Sequence, residues 1–212
     1  MRILALLAML LLVTTVGAQS KYWGGSSMKF KLNKKNALTL KLQFRDDIPI
    51  EFTDGWKHLY QLSYNRELSK RLDLSLGYRA TLEQEFFDKQ RLYTDFSYSS
   101  KKKKRFVRYD IRARLQQDVN YGSEFRQGQT YFRLKPEVSF NTSKWVDPYL
   151  GTELFYRFNG KNEFREFRYL FGLEFKLSKR VDLNTQLMRS VELNVKDTES
   201  GWVIGTFLKF KL

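Results

Sequence analysis

Hydrophobic and polar residues alternate one by one along almost the whole chain after residue 20. Every second residue is apolar in 72–82 and 107–115, and 181–193 repeats the pattern with interruptions at Thr185 and Arg189. Successive side chains of a β-strand point to opposite faces, so each such segment has one apolar and one polar face. No window shows the 3.6-residue period of an amphipathic helix. The pattern predicts an all-β fold.

The alternating segments predict a series of long strands. We predict strands at 36–46, 55–66, 72–84, 90–99, 105–118, 128–140, 147–158, 163–178, 181–195 and 201–212, with a further candidate at 22–32. Strands of soluble proteins usually have about 5–6 residues, whereas a tilted membrane strand needs about 9–11. The predicted strands are therefore long enough to cross a bilayer.

The predicted connections alternate between two kinds. Short basic turns lie at 33–36, 69–71, 100–105, 141–144 and 178–180, and longer or more acidic loops lie at 45–55, 83–89, 117–128, 159–163 and 196–201. Short turns at one end and longer loops at the other are typical of an outer-membrane barrel. The basic turns would then face anionic lipid headgroups, although basic residues in turns are also what solvation alone would give.

Aromatic residues distinguish a membrane barrel from a soluble one, whose apolar face would point inward. Trp56 and Trp202 open predicted strands on the loop side, and Trp145 lies beside a short turn. These positions indicate aromatics at the two membrane interfaces. We therefore predict an antiparallel transmembrane β-barrel of 10–12 strands, of the outer-membrane type, over residues 36–212. The alternative is a soluble exported barrel or sandwich.

The first 35 residues divide into two parts. Arg2, the apolar run 3–16 and the small residues Gly17 and Ala18 predict a secretory signal peptide, residues 1–18, that is cleaved after Ala18. The apolar run is shorter than the roughly 20 residues of a membrane-spanning helix. Residues 19–35 would form a tether, a plug or an extra strand, because ten strands over 36–212 already satisfy the even number expected of bacterial barrels.

Composition narrows the possible chemistry. The chain has no cysteine and one histidine, which excludes disulfides, thiolate metal sites and a multi-histidine zinc site. No cofactor is expected. Lys and Arg number 38 against 23 Asp and Glu, a net charge of +15. Export and the scattered turns account for this charge better than one basic face does, so no nucleic-acid partner is expected.

Two segments carry a family resemblance. Residues 40–45 (Leu-Lys-Leu-Gln-Phe-Arg) precede an acidic loop, and the hairpin 60–79 folds around the turn 69–71. They resemble the uncharacterised outer-membrane barrels of Gram-negative bacteria grouped as the domain-of-unknown-function family 2490. The resemblance covers essentially the whole mature chain, through loose motifs that many barrels share. It implies the barrel fold and an outer-membrane location, and it implies no activity.

The end of the chain departs from the usual assembly signal of such barrels, which commonly ends in an aromatic residue. This chain ends in Leu212. Leu208, Phe210 and Leu212 nevertheless keep the alternation. We therefore expect the barrel-assembly machinery to recognise them.

The polar strand faces carry a set of basic residues that would line the lumen. Alternation places the following residues inward: Arg108, Arg112, Arg114, Arg133, Lys135, Arg157 and Arg168. As a basic patch they would attract anionic solutes. Alternatively they form cross-strand pairs, such as Arg112 or Arg133 with Asp110 or Glu137, that only neutralise a polar interior.

An enzymatic function has little support in the sequence. His58 is the one imidazole, near the acidic residues Asp46, Asp47 and Asp54, and could act as a base at the barrel rim. It shares its face with Trp56 and other aromatic residues, however, which favours an interface position. No nucleophile, phosphate-binding loop or metal-ligand spacing accompanies it. We predict no catalytic residue and no metal site.

The function that best fits these features is that of a narrow channel for small or anionic solutes. The alternative is a structural or partner-docking envelope barrel without transport. Barrels of about eight strands are filled by side chains and those of about sixteen hold a channel, so 10–12 strands leave both functions open. The expected partners are outer-membrane lipid, the barrel-assembly machinery and small anionic solutes, and the expected state is a monomer.

Overall fold

The computed structural model describes residues 20–48, 56–83, 86–100, 106–120, 128–158, 162–196 and 200–212. The strands are β1 (Ser20–Lys31), β2 (Asn36–Ile48), β3 (Lys57–Glu67), β4 (Leu72–Glu83), β5 (Phe86–Ser99), β6 (Val107–Asn120), β7 (Gly128–Phe140), β8 (Val146–Arg157), β9 (Glu163–Lys176), β10 (Val181–Glu192) and β11 (Ser200–Lys211). The predicted signal peptide 1–18, the basic residues 101–105 and parts of the predicted loops lie outside the described residues. Within those residues, no helix is long and apolar enough to cross a bilayer.

The strands close into a single barrel in which each pairs antiparallel with the next along the chain. The circle is completed by a parallel pairing of β1 with β11, running from Ser20 opposite Trp202 to Lys29 opposite Lys211. The predicted all-β barrel of 10–12 strands is thereby confirmed. The expectation of an even strand number is wrong, because an odd number of strands closes when the first and last run in the same direction.

The segment predicted at 22–32 is strand β1 of the wall. It lies between β2 and β11 and makes backbone pairs with both along nearly its whole length. Of the three arrangements considered for residues 19–35, the structure has the extra strand for residues 20–31. Because this one strand joins the ten others, the first and last strands of the wall run in the same direction and pair parallel.

One end of the barrel, here called the turn end, carries the short connections 32–35, 68–71, 141–145 and 177–180. A polar side chain within each of these turns accepts a hydrogen bond from the backbone N–H three residues on. Asn33 Oδ1 accepts from Asn36 N at 2.9 Å, and Ser178 Oγ accepts from Val181 N at 3.0 Å. Asparagine and serine stabilise tight turns in this way, so the sequence itself closes these hairpins.

The opposite end, here called the loop end, is where β2, β4, β6, β8 and β10 end. The predicted loop 83–89 is wrong in extent, because β4 continues to Glu83 and β5 already begins at Phe86. A shift of register between Thr81 and Leu82 lets the two strands stay paired there. A β-bulge of this kind adds twist without breaking the ladder, and the alternation in sequence does not reveal it.

The two faces of the wall differ in polarity. Outward side chains such as Leu62, Leu92 and Phe96 are more than half exposed, at 53%, 63% and 58%. Inward positions hold charged and amide groups, among them Arg114, Gln116 and Asp118. The strand alternation therefore places apolar residues outside and polar residues inside, the reverse of a soluble barrel.

Two glycines leave room for inward tyrosine rings on neighbouring strands. A Cβ atom on Gly172 would lie 2.2 Å from Tyr149 Cζ, and one on Gly77 would lie 2.1 Å from Tyr93 Cζ. Tyr149 is thereby placed to donate a hydrogen bond to Asn184 Oδ1 at 3.1 Å. The glycines thus let aromatic rings lie flat along the inner wall.

We expect the substitution Gly172→Val to destabilise the barrel by about 1–3 kcal/mol, the usual result of overpacking. The added side chain would displace the Tyr149 ring and its hydrogen bond to Asn184. Urea unfolding of the refolded protein measures the change. Gly128→Val is the matched control, because a Cβ there meets only the flexible Gln117 amide closely. Equal losses for both variants would contradict this role of Gly172.

We also expect Ser26→Pro to prevent closure of the barrel. Ser26 pairs with Leu208 of β11 and with Leu42 of β2, and proline cannot donate to either ladder in the middle of a wall. The fraction of compact, heat-modifiable barrel on unheated gels measures closure. Lys34→Pro lies in the β1–β2 turn, where proline is tolerated, and should fold. Normal closure of Ser26→Pro would show that β1 is dispensable.

Candidate functional site: the charged lumen

A central cavity of about 620 Å³ occupies the barrel, and residues from every described strand line it. Its cationic lining residues are Lys41, Arg45, Arg79, Lys89, Arg91, Arg112, Arg114, Arg133, Lys135, Arg165, Arg168 and Lys209. Its acidic lining residues are Asp118, Glu137, Glu153, Glu166, Glu174 and Glu192. Cations therefore outnumber acids by two to one around this cavity, and its electrostatic potential favours anions.

A second cavity of about 390 Å³ lies at the loop end. It shares Trp23, Glu166, Arg168, Met188 and Glu192 with the central cavity. The central cavity is thus continued toward the loop end along the β1, β9 and β10 side of the wall.

Glu153 of β8 is the centre of a salt-bridge network. Its carboxylate accepts hydrogen bonds from Arg112 and Arg133 at 2.8 Å each, and Arg168 lies 3.6 Å away. The Glu153 side chain is only 5% exposed. A carboxylate this deeply buried is stable only with such partners. The three arginines come from three different strands, so Glu153 ties β6, β7 and β9 to β8.

The network continues across the neighbouring strands. Arg114 donates two hydrogen bonds to the Asp95 carboxylate, at 2.6 and 2.7 Å. Arg91 donates two to the Asp118 carboxylate, each at 2.7 Å. Gln116 joins this part to the first, because it donates to Asp118 and accepts from Arg133. Paired arginine–carboxylate hydrogen bonds of this kind are strong and fix geometry. The network therefore braces the wall from β5 to β9.

Three further cations, Lys41, Arg45 and Arg79, form what we call the cationic cluster. They project into the same cavity from β2 and β4. None of the three takes part in a salt bridge with a described carboxylate. Arg79 instead donates to the amide oxygen of Gln61, at 3.0 and 2.6 Å. Their positive charge is thus left to act on the cavity.

Aromatic rings support the cationic cluster. The Arg45 guanidinium lies 3.8 Å from the ring centroid of Trp23, and Lys41 Nζ lies 4.8 Å from that of Phe207. Trp23 also packs on the buried apolar residues Leu170, Met188 and Val203. Cation–π contact holds a charged group in place without neutralising it. Lys41 and Arg45 are therefore held in place by aromatic rings rather than by carboxylates.

All seven basic residues predicted for the lumen have a carboxylate partner. The pairs are Arg108–Asp110, Arg112–Glu153, Arg114–Asp95, Arg133–Glu153, Lys135–Glu137, Arg157–Glu163 and Arg168–Glu166. Five of these basic residues line the central cavity, whereas Arg108 and Arg157 lie near the strand ends and do not. The partners suggested for Arg112 and Arg133 are wrong, since both bind Glu153 rather than Asp110 or Glu137.

Sequence reasoning missed the cationic cluster and Trp23. Lys41 stands between Leu40 and Leu42, and Arg79 stands between Tyr78 and Ala80. The same alternation that located the other basic residues places both of them inward. They attract less notice because each is a single cation in a mostly apolar segment, without the run of basic residues seen at 108–114.

The other predicted positions lie on the outer surface. Trp56 and Trp202 are at the loop end and Trp145 is at the turn end. Leu208 and Phe210 alternate with inward residues of β11, and Leu212 follows the last strand residue. His58 packs edge-on against Trp56, with ring centroids 4.2 Å apart. Their roles at the interface and in assembly stay predictions.

Acidic residues of the lumen do not gather as metal ligands. Over the described ranges, no group of three or more His, Asp or Glu side chains is arranged to hold a metal ion. The carboxylates are separated by the arginines that bind them.

Comparisons with known proteins agree with this architecture. A solved structure of the NanC porin matches with a TM-score of 0.52 and 11% sequence identity, over 80% of this chain and 84% of that one. At this identity the likeness shows the fold, a porin-like barrel of the outer-membrane type. A search of curated proteins finds no match.

A family model covers most of the barrel. Residues 20–200 match the family described as protein of unknown function DUF2490, which is the family that the segments 40–45 and 60–79 resemble. The match begins with β1 and ends at the start of β11. The chain therefore belongs to the DUF2490 family.

Proposed function

We propose that this protein is a monomeric outer-membrane β-barrel of a Gram-negative bacterium that passes small anionic solutes through its lumen. It would be exported by a cleaved signal peptide and inserted by the barrel-assembly machinery. The observation that carries the proposal is the cationic cluster of Lys41, Arg45 and Arg79, whose charges have no described carboxylate partner inside the cavity.

The outer wall supports the position in a membrane. The strands have 11 to 14 residues, enough for the roughly 9–11 of a tilted membrane strand. Large apolar side chains are exposed on the outer wall of every described strand except β10, an arrangement that water disfavours and lipid does not. Trp56 and Trp202 at one end and Trp145 at the other would mark the two interfaces.

The division of the lumen supports passage of anions. The salt-bridge network pairs the arginines of the β5–β9 side with carboxylates, which reduces the field that those cations exert on the lumen. The cationic cluster on β2 and β4 faces it across the cavity and provides net positive charge. Cationic side chains projecting into a pore select anions in this way. The barrel fold shared with the NanC porin is consistent with a channel.

Neutralising the cationic cluster should lower the preference for anions. A unit charge about 8 Å from the ion path contributes about 0.5 kcal/mol in water, so three contribute about 1.5 kcal/mol, about a tenfold change in relative permeability. We expect this loss at low salt in Lys41→Gln/Arg45→Gln/Arg79→Gln. Planar-bilayer recording of the refolded mature protein, residues 19–212, under a salt gradient measures it.

The matched control removes the same charge from exposed turns. Lys34→Gln/Lys70→Gln/Arg71→Gln changes three exposed cations at the turn end and should keep the anion preference. An equal loss in both triple variants would contradict selection by the cationic cluster. A folded wild-type barrel with no conductance would favour the structural or partner-docking function instead.

Neutralising Glu153, the centre of the salt-bridge network, should raise the preference for anions. Glu153→Gln leaves Arg112, Arg133 and Arg168 without their shared charge partner, which should raise the anion preference about twofold by the same estimate. It should also cost about 3 kcal/mol of stability, because buried arginines lose a counter-charge. Reversal potentials and urea unfolding measure the two effects.

Glu174→Gln is the control for this variant. Glu174 also lines the cavity, but Lys209 is its single salt-bridge partner among the described residues. It should change the ion preference in the same direction with a smaller loss of stability. Equal stability losses would show that Glu153 is not the centre of the network.

A further inference from the structure

The outer wall carries a groove of about 890 Å³ that crosses from β6 to β11. Small residues form its floor. Pro136, Val138 and Thr152 stand between the larger side chains of Tyr109 and Tyr169. On an otherwise bulky apolar face, this is where another apolar chain can lie against the wall.

One charged residue lines the outer side of this groove. Arg189 interrupts the outward row of β10, which otherwise consists of apolar residues and one threonine. It is exposed, and its guanidinium lies 5.4 Å from the ring centroid of Trp202. No described carboxylate forms a salt bridge with it. Tyr169 lies opposite it on the other neighbouring strand.

The strand register gives the groove a direction. Arg189 lies opposite Tyr169, and Tyr169 lies opposite Thr152. Pro136 of β7 lines the same groove as Thr152 and lies opposite Ile111 on β6. Arg189 is near the loop end of β10, whereas Ile111 is near the turn end of β6. The strands of such barrels tilt by about 35–45°. The groove therefore descends from the loop end toward the middle of the wall.

The dimensions of the groove fit a lipid chain. From β10 to β6 there are four interstrand spacings of about 4.8 Å, or about 19 Å. Half the hydrocarbon core of a bilayer is about 15 Å. A chain that starts at Arg189 and follows the groove would thus reach about as far as one leaflet.

We propose that this groove binds an acyl chain of a phosphate-bearing lipid of the loop-end leaflet, with the lipid phosphate on Arg189. An exposed guanidinium without a carboxylate partner suits a phosphate, which it can bind through two hydrogen bonds. Trp202 and Tyr169 lie on either side at the level where aromatic side chains meet headgroups. The inference rests on the proposed membrane position, and it does not depend on conductance.

Lipid binding to the refolded mature protein in a non-ionic detergent tests this site. The probes are phosphatidic acid and diacylglycerol with the same acyl chains, which differ only in the phosphate, and native mass spectrometry measures the bound fraction. The wild type should retain phosphatidic acid in preference to diacylglycerol. Arg189→Leu should lower phosphatidic acid affinity about tenfold, the loss of one hydrogen-bonded ion pair. Arg189→Lys should recover part of it.

Two further variants separate the headgroup from the chain. Arg66→Leu removes an exposed outward arginine at the turn end of β3 and should bind phosphatidic acid as the wild type does. Thr152→Phe fills the groove and should weaken both lipids. Unchanged binding in Arg189→Leu, or an equal loss in Arg66→Leu, would overturn the inference. The lipid-binding assay measures no ion current, so its result is independent of the channel proposal. If the barrel conducts ions but does not bind phosphatidic acid, only the lipid site is wrong. If it binds phosphatidic acid but does not conduct, the lipid site stands and the channel function is wrong.

Discussion

Closure of the wall is the constraint on which the rest of this structure depends. Backbone N–H and C=O groups in a lipid environment must be paired within the protein, and a barrel achieves this only when no strand edge is left open. Here the last edge is covered by β1, which pairs parallel with β11 and antiparallel with β2. Gly24, Gly25, Ser26 and Ser27 give this strand little side-chain bulk. Over these four residues the strand is held more by backbone hydrogen bonds than by packing, whereas Trp23 before them packs on the buried core.

The closed wall fixes what the interior has to accommodate. Alternation along the strands sends charged side chains inward, and the register decides which of them meet. Glu153 meets three arginines, so the β5–β9 side becomes a surface braced by salt bridges. Lys41, Arg45 and Arg79 meet aromatic rings and an amide instead. The same rule of alternation thus produces a braced half and a charged half of one lumen.

Much of the fold could be predicted from the sequence, because strand alternation and turn residues act locally. The hairpin around Ser69 and the long strand 107–115 needed only neighbouring residues to be recognised. The parallel closure could not be predicted this way, since β1 pairs with a strand about 180 residues away and its small residues give it no marked face. The partner of Arg112 could not be predicted either, because Glu153 lies two strands away and only the strand register brings the two side chains together. The groove at Arg189 depends on residues from six strands, so no single segment of sequence contains it.

The odd number of strands also places the first and last residues of the wall at opposite ends of the barrel. With β1 and β11 running in the same direction, Ser20 lies at the loop end and Lys211 at the turn end. If such a barrel inserts with its loop end first, the start of β1 at Ser20 would cross the membrane. The end of β11 at Lys211 would stay on the side of the short turns. Epitopes joined to these two strands would then be reached by antibodies from opposite sides, whereas a barrel of ten or twelve strands would present both to the same compartment.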